Sequence, residues 1–97
     1  MFCCYILHSE SLNRFYTGVC QDNLAARIQK HNDQSYGAHR FTANAQDWQL
    51  YLRIDCESNA HALKIEKHIK SMKSSRYIKN LAQYPEIIEK LKQRFGG

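Results

Sequence analysis

Residues 13–32 read NRFYTGVCQDNLAARIQKHN and join a strand-like run to a helix-like run. The segment FYTGV is rich in aromatic and β-branched residues, so it predicts the second strand of a hairpin. A polar turn follows, in which Asp22 or Asn23 can cap a helix whose Leu24 and Ile28 form an apolar seam. This stretch therefore predicts a strand that leads directly into a helix.

The segments on either side predict the rest of a small sheet. Residues 2–8, FCCYILH, are aromatic and apolar and predict a largely buried first strand. The segment WQLYLRID predicts a third strand because four apolar residues alternate with other residues: Trp48, Leu50, Leu52 and Ile54. Ser58 can cap a second helix, in which four apolar residues at helical spacing are predicted to face the sheet: Ala62, Ile65, Ile69 and Met72.

The C-terminal part of the chain predicts further helices. The segment RYIKNL suggests one or two helical turns, and Pro85 can occupy the first position of a last amphipathic helix over about residues 85–95. The predicted element order is ββαβα with C-terminal helices, which is an α+β fold with helices packed on a three-stranded antiparallel sheet. We expect a single domain over 1–97 with its core at about 2–81.

Composition limits the class of protein. The chain has 97 residues and 43% hydrophobic content, and it lacks an apolar run of the roughly 20 residues that a membrane-spanning helix needs. The start MFCCYILHSE has neither a basic segment nor a small-residue cleavage site, so we expect a cytoplasmic protein. Four cysteines lack zinc-site spacing and are interpreted as reduced apolar fillers, with a disulfide or a thiol nucleophile as alternatives.

Positive charge is concentrated in one segment. The formal net charge of the chain is +5. Between His61 and Asn80 there is one acid, Glu66, and there are six basic residues: Lys64, Lys67, Lys70, Lys73, Arg76 and Lys79. Such a segment favours binding to a polyanion such as nucleic acid, whose phosphates Lys and Arg can neutralise. The alternative is a solvated lysine-rich helix.

Five polar residues occupy selective positions in the predicted elements. Tyr5 and Tyr16 lie on paired strands, while Arg27 and His31, at i and i+4, share one face of the first helix. Helical spacing puts Glu66 at the edge of the buried face of the second helix. Each residue alone also has an ordinary structural explanation, as a half-buried phenol, a polar helix face or a partner for a lysine.

Taken in order, four segments, CYIL, FYTG, LAARIQKHN and ALKIEKHIK, resemble the GIY-YIG nuclease family, especially its short standalone bacterial members. The resemblance runs from about Tyr5 to Leu81. It matches five functional positions of the family: Tyr5, Tyr16 (with Gly18 as the motif glycine), Arg27, His31 and Glu66. The chain departs from the usual motif at packing positions, where Cys3, Cys4 and Thr17 replace the family's residues.

The resemblance implies a divalent-metal-dependent endonuclease that hydrolyses nucleic-acid phosphodiester bonds, with DNA as the expected partner. Mg²⁺ or Mn²⁺ would be held by Glu66, and Arg27 would contact the scissile phosphate. Tyr5 is the first choice of general base, with His31 as competitor or proton relay, and Tyr16 would position water or phosphate. The alternatives are a catalytically weak nucleic-acid-binding module on the same scaffold and an unrelated role for a small α+β domain.

Overall fold

A three-stranded antiparallel sheet forms the centre of this protein. The computed structural model describes residues 2–33 and 45–96. Its strands are β1 (Phe2–Ser9), β2 (Arg14–Cys20) and β3 (Trp48–Cys56). The order β2-β1-β3 makes β1 the central strand and leaves β2 and β3 at the edges. All three predicted strands and the α+β fold class are confirmed.

Four helices occur in the described ranges: α1 (Leu24–Asn32), α2 (Asn59–Met72), α3 (Ser75–Gln83) and α4 (Pro85–Phe95). The predicted caps are present, since the Asn23 side chain accepts a hydrogen bond from the Ala26 amide and the Ser58 side chain accepts one from the His61 amide. Pro85 begins α4 as predicted. None of these helices combines the length and apolar character needed to cross a membrane. The segment DQSYGAHRFTAN, residues 33–44, predicts a loop between α1 and β3; beyond Asp33 it lies outside the described residues.

Helices cover both faces of the sheet, because neighbouring residues of a strand point to opposite faces. One core cluster combines the sheet with α1 and contains Cys3, Tyr5, Leu7, Cys20, Leu24, Ala45 and Trp48. The other combines the sheet with α2, α3 and α4 and contains Cys4, Ile6, Ile54, Cys56, Ala62, Ile65, Ile69, Ile78, Leu81 and Leu91. We call these the α1 layer and the α2 layer. Both layers depend on β1, which supplies alternate residues to each.

A β-bulge interrupts β3 near its middle. Ile6 and Leu7 of β1 pair with Leu52 and Leu50 of β3, so Tyr51 is an extra residue between two consecutive pairs. An extra residue shifts the alternation of the strand by one position. Side chains before and after Tyr51 therefore exchange faces.

The bulge explains why the alternating apolar residues of β3 do not share one face. Trp48 is buried in the α1 layer and Ile54 is buried in the α2 layer. Leu50, close to the bulge, is 46% exposed. The two halves of one strand thus contribute to two different cores.

The prediction that Met72 faces the sheet with the other apolar residues of α2 is wrong. Ala62, Ile65 and Ile69 are buried as expected, but Met72 is 44% exposed. Met72 is the last residue of the helix, and Lys73 follows it in the left-handed conformation with φ 48°. Because the chain changes direction there, the apolar stripe ends one turn earlier, at Ile69.

Side chains attach the start of β3 to two other elements. The Asn32 amide, at the end of α1, accepts a hydrogen bond from the Trp48 N–H at 2.7 Å and donates one to the Trp48 carbonyl at 2.9 Å. The Asp47 carboxylate accepts hydrogen bonds from the Ser9 hydroxyl at 2.6 Å and from the Ser11 N–H at 2.8 Å. The bond from Ser9 is the main reason why the pKa of Asp47 is below its usual value. These contacts fix α1 and the β1–β2 turn relative to β3.

Candidate functional site

Tyr5 and Gly18 form the structural centre of the candidate site. They are direct partners in the register of β1 and β2. A Cβ atom added to Gly18 would lie 2.7 Å from the Tyr5 hydroxyl oxygen and 3.1 Å from Cε2 of Tyr16. The absent side chain of Gly18 is therefore what lets the Tyr5 phenol lie across β2, close to Tyr16.

His31 brings α1 to these tyrosines. A hydrogen bond of 3.0 Å joins the Tyr5 hydroxyl and His31 Nε2. Tyr5 is 1% exposed and His31 is 4% exposed, so this bond is shielded from bulk solvent. The Tyr16 ring is half-buried, and its centroid is 4.9 Å from the His31 ring and 6.4 Å from the Tyr5 ring. Three of the five predicted site residues thus form one contiguous cluster.

Arg27 lies one helical turn before His31 in α1 and is half-buried. Its backbone N–H donates to the carbonyl of Asn23, the helix cap. Residues four apart in a helix lie on the same side of it. The guanidinium is therefore carried by the same side of α1 as the imidazole.

Glu66 comes from the opposite layer. Its side chain is 19% exposed and its Oε2 atom lies 3.3 Å from Nζ of Lys70, one turn later in α2. The same Nζ atom lies 5.6 Å from the centroid of the Tyr16 ring. Because β2 is an edge strand, a long side chain from α2 can reach the tyrosine around that edge. Lys70 therefore connects Glu66 to the tyrosine cluster.

This position of Lys70 was not predicted from the sequence, which indicated only that Lys70 is one of six basic residues that could contact nucleic-acid phosphates. A lysine above an aromatic ring is attracted by the negative face of the ring. The i, i+4 spacing of Glu66 and Lys70 could have indicated the ion pair. The contact with Tyr16 depends on the tertiary fold and has no local sequence signal.

The donor set for a divalent cation is small. Within residues 2–33 and 45–96, no group of three or more His, Cys, Asp or Glu side chains is arranged to hold a metal ion. Glu66 is the single acid of α2 and its side chain is half-buried. Mg²⁺ and Mn²⁺ prefer oxygen ligands, and Mg²⁺ is commonly bound by one or two carboxylates together with water and substrate phosphate. The residues present fit that kind of site and not a closed protein cage.

The six predicted basic contacts are all exposed, but they do not share one face. Lys64, Lys67 and Lys70 lie on α2, Lys73 follows its last residue, and the two others, Arg76 and Lys79, lie on α3. At about 100° per residue, Lys70 lies about 40° from Glu66, Lys67 about 100° and Lys64 about 160°. Lys70 therefore lies on the side of the candidate site, and Lys64 lies on the far side of α2.

The cysteines are packing residues. All four are free thiols in buried positions. Cys3 and Cys4 belong to opposite layers, as their adjacency in a strand predicts. Burial is the main cause that raises the pKa of Cys3, Cys4 and Cys56. A raised pKa disfavours the thiolate that a nucleophile requires.

The fold and the cluster together define an α+β protein in which two strand tyrosines and a helix histidine meet beside the edge of a small sheet, with an arginine one helical turn before the histidine. The family model of the GIY-YIG catalytic domain matches residues 1–80 of the chain. The chain therefore belongs to the GIY-YIG family, which is a family of endonucleases. Searches of curated proteins and of solved structures found no match.

Proposed function

We propose that this chain is a divalent-metal-dependent endonuclease that hydrolyses phosphodiester bonds in nucleic acid, with DNA as the expected substrate. The observation that carries the proposal is the shielded hydrogen bond of 3.0 Å between the Tyr5 hydroxyl and His31 Nε2. A phenol alone is a weak base at neutral pH because it holds its proton. A neutral imidazole at hydrogen-bond distance offers an acceptor for that proton.

The proposed proton path uses Tyr5 and His31 in sequence. Tyr5 transfers its hydroxyl proton to His31 Nε2 and then accepts a proton from the attacking water. Arg27 offers a forked set of donors to the phosphate and to the charge that develops in the transition state. Tyr16 orients the water or the phosphate. Cleavage of the bond to the 3′ oxygen would leave a 5′-phosphate and a 3′-hydroxyl, as the family resemblance implies.

Glu66 is the proposed ligand of Mg²⁺ or Mn²⁺, which when bound would neutralise negative charge on the scissile phosphate. The carboxylate is held at the edge of the core, where Lys70 pairs with it at 3.3 Å. This ion pair also supports a second candidate function. If Glu66 serves only to position Lys70, the chain can bind phosphate without hydrolysing it and would act as a nucleic-acid-binding module.

Nicking of supercoiled plasmid DNA distinguishes these two functions. We expect nicking with Mg²⁺ or Mn²⁺, no nicking with EDTA, and loss of nicking in Glu66→Gln, which keeps the shape of the side chain but removes its charge. Glu89→Gln is the matched control because Glu89 is an exposed acid on α4. If Glu66→Gln nicks as fast as the wild type, the assigned ligand is wrong. If the wild type binds DNA but no metal supports nicking, the binding module is correct.

The same assay tests the remaining assignments. Arg27→Ala should lower the rate by about 10²- to 10³-fold, by analogy with the loss of a transition-state hydrogen-bond donor. Tyr5→Phe keeps the ring but removes the hydroxyl, so it should abolish most activity; His31→Ala should have a milder effect, because the base Tyr5 remains and only the group that relays its proton is lost. Rates of both variants measured from acidic to alkaline pH identify the base. Full activity in Tyr5→Phe with none in His31→Ala would assign the base to His31 instead.

We also propose a reducing compartment, the cytoplasm, for this protein. Its four cysteines are buried free thiols and form no disulfide with one another. Thiols persist in the cytoplasm, whereas oxidising compartments favour disulfides.

A further inference from the structure

An open groove lies between α2 and the end of α4. It has a volume of about 670 Å³ and is lined by residues that include Lys64, Lys67, His68, Arg94 and Phe95. The described lining residues include no acid. The groove therefore combines positive charge with two rings, and the proposed catalytic residues are not part of it.

Three cations give the groove its charge. Lys64 and Lys67 are exposed, and neither forms an ion pair with any residue in the described ranges. The guanidinium carbon of Arg94 lies 5.2 Å from the centroid of the Phe95 ring. Exposed cations that form no ion pair attract phosphate groups, because neutralising a phosphate releases counterions.

The two rings are held in place by their neighbours. His68 Nε2 forms a hydrogen bond of 3.1 Å with the Tyr77 hydroxyl, and the His68 ring centroid lies 5.4 Å from that of Phe95. Phe95 packs partly against the core of the α2 layer. A ring that is already fixed loses little conformational freedom when a ligand stacks on it. Phe95 and His68 thus form a preorganised platform beside the cations.

The groove and the candidate site are connected across α2. Going around the helix from Glu66, Lys70 comes after about 40°, Lys67 after about 100° and Lys64 after about 160°. On a helix of about 10 to 12 Å diameter, the arc of about 120° and the rise of about 9 Å over six residues combine to a surface path of roughly 14 Å from Lys70 to Lys64, which is about four phosphate spacings of one strand. One nucleic-acid strand could therefore contact both places.

We propose that the groove between α2 and α4 binds a single-stranded segment of nucleic acid adjacent to the bond that is cleaved. The cations would contact its phosphates, and Phe95 and His68 would stack with an unpaired base. Stacking of this kind requires a base that has left the double helix, which is why the proposed ligand is an unpaired end or flap and not a duplex. The assignment of this strand as part of a substrate rests on the proposed function, whereas its binding does not.

Binding of a fluorescein-labelled oligothymidylate to the full chain in EDTA tests the groove without cleavage. We expect Phe95→Leu, which keeps an apolar side chain but removes the ring, to weaken affinity by about 5- to 150-fold, the range for one stacked base. Lys67→Ala and Arg94→Ala should each reduce the slope of log affinity against log salt by about 0.7. Lys90→Ala is the matched control, because Lys90 is an exposed cation of α4 that does not line the groove.

The outcomes separate the groove from the nuclease proposal. If Arg94→Ala and Lys67→Ala bind oligothymidylate with wild-type affinity, the groove is not the binding site. The same follows if Lys90→Ala loses as much affinity as these variants, because that result would indicate only nonspecific attraction by positive charge. If Phe95→Leu alters the circular dichroism of the protein, the two cation variants still decide the question. If the groove variants lose as much affinity for a blunt duplex as for oligothymidylate, the assignment of the groove to a single strand is wrong. Absence of plasmid nicking, with the expected pattern of oligothymidylate binding, would remove the nuclease proposal and leave the groove in place.

Discussion

At the scale of single residues, the packing of the Tyr5 ring against β2 requires that residue 18 has no side chain. In Gly18→Ala, the new Cβ would lie 2.7 Å from the Tyr5 hydroxyl oxygen and 2.8 Å from Cζ of the same ring. Tyr5 is 1% exposed, so its ring cannot move aside without repacking the α1 layer. We expect a loss of about 1–3 kcal/mol in the free energy of unfolding, which is typical of overpacking a core. Urea denaturation measures it.

A second substitution at the contact isolates the cause. Tyr5→Leu shortens the side chain opposite Gly18, so Gly18→Ala should cost less in that background than in the wild type. A double-mutant cycle measures this coupling free energy. If Gly18→Ala costs the same in both backgrounds, the glycine is required for a reason other than its contact with Tyr5.

At the scale of elements, Asp47 fastens the β1–β2 turn to the start of β3. Hydrogen bonds, first of all from Ser9, lower the pKa of Asp47 in the folded protein. A carboxyl group with a lowered folded-state pKa stabilises the fold above its unfolded-state pKa, and this contribution is lost as the pH falls through the folded-state value. We therefore expect Asp47→Asn to lower the melting temperature at neutral pH, and the difference from wild type to shrink below about pH 4.

Glu10→Gln is a control for this measurement. Glu10 is an exposed acid in the same turn, and its side chain makes no hydrogen bond with another described residue. Its removal should change the melting temperature little at any pH. If the melting temperatures of Asp47→Asn and wild type differ by the same amount from neutral to acidic pH, the charge of Asp47 does not act through these hydrogen bonds.

The elements are also the level at which sequence prediction was most successful. Caps such as Asn23 and Ser58 and the apolar spacing within each segment are local signals, so the strands and helices could be predicted. The bulge at Tyr51 could not, because register is a property of two paired strands and not of one. The exposure of Met72 depends on where α2 leaves the sheet, and the contact of Lys70 with Tyr16 depends on the packing of distant segments.

At the scale of the whole molecule, two layers share one central strand. Cys3 and Cys4 are neighbours in β1, yet Cys3 belongs to the α1 layer and Cys4 to the α2 layer. Burial raises the pKa of both thiols. Since the thiolate is the reactive form, both should react far more slowly with iodoacetamide in the native protein than in the unfolded chain.

The order in which these thiols react reports how the two layers unfold. β1 pairs with both edge strands, so exposing either face of it requires breaking the sheet that holds both cores together. We therefore expect Cys3 and Cys4 to lose protection together as urea is raised, as pulsed labelling followed by mass spectrometry of the peptide that contains them would measure. The unfolded chain is the control, in which both thiols should label fully within the pulse. Labelling of Cys4 at a urea concentration that leaves Cys3 protected would mean that α2, α3 and α4 detach while the α1 layer and its tyrosine cluster remain folded, and the protein would then unfold in two steps.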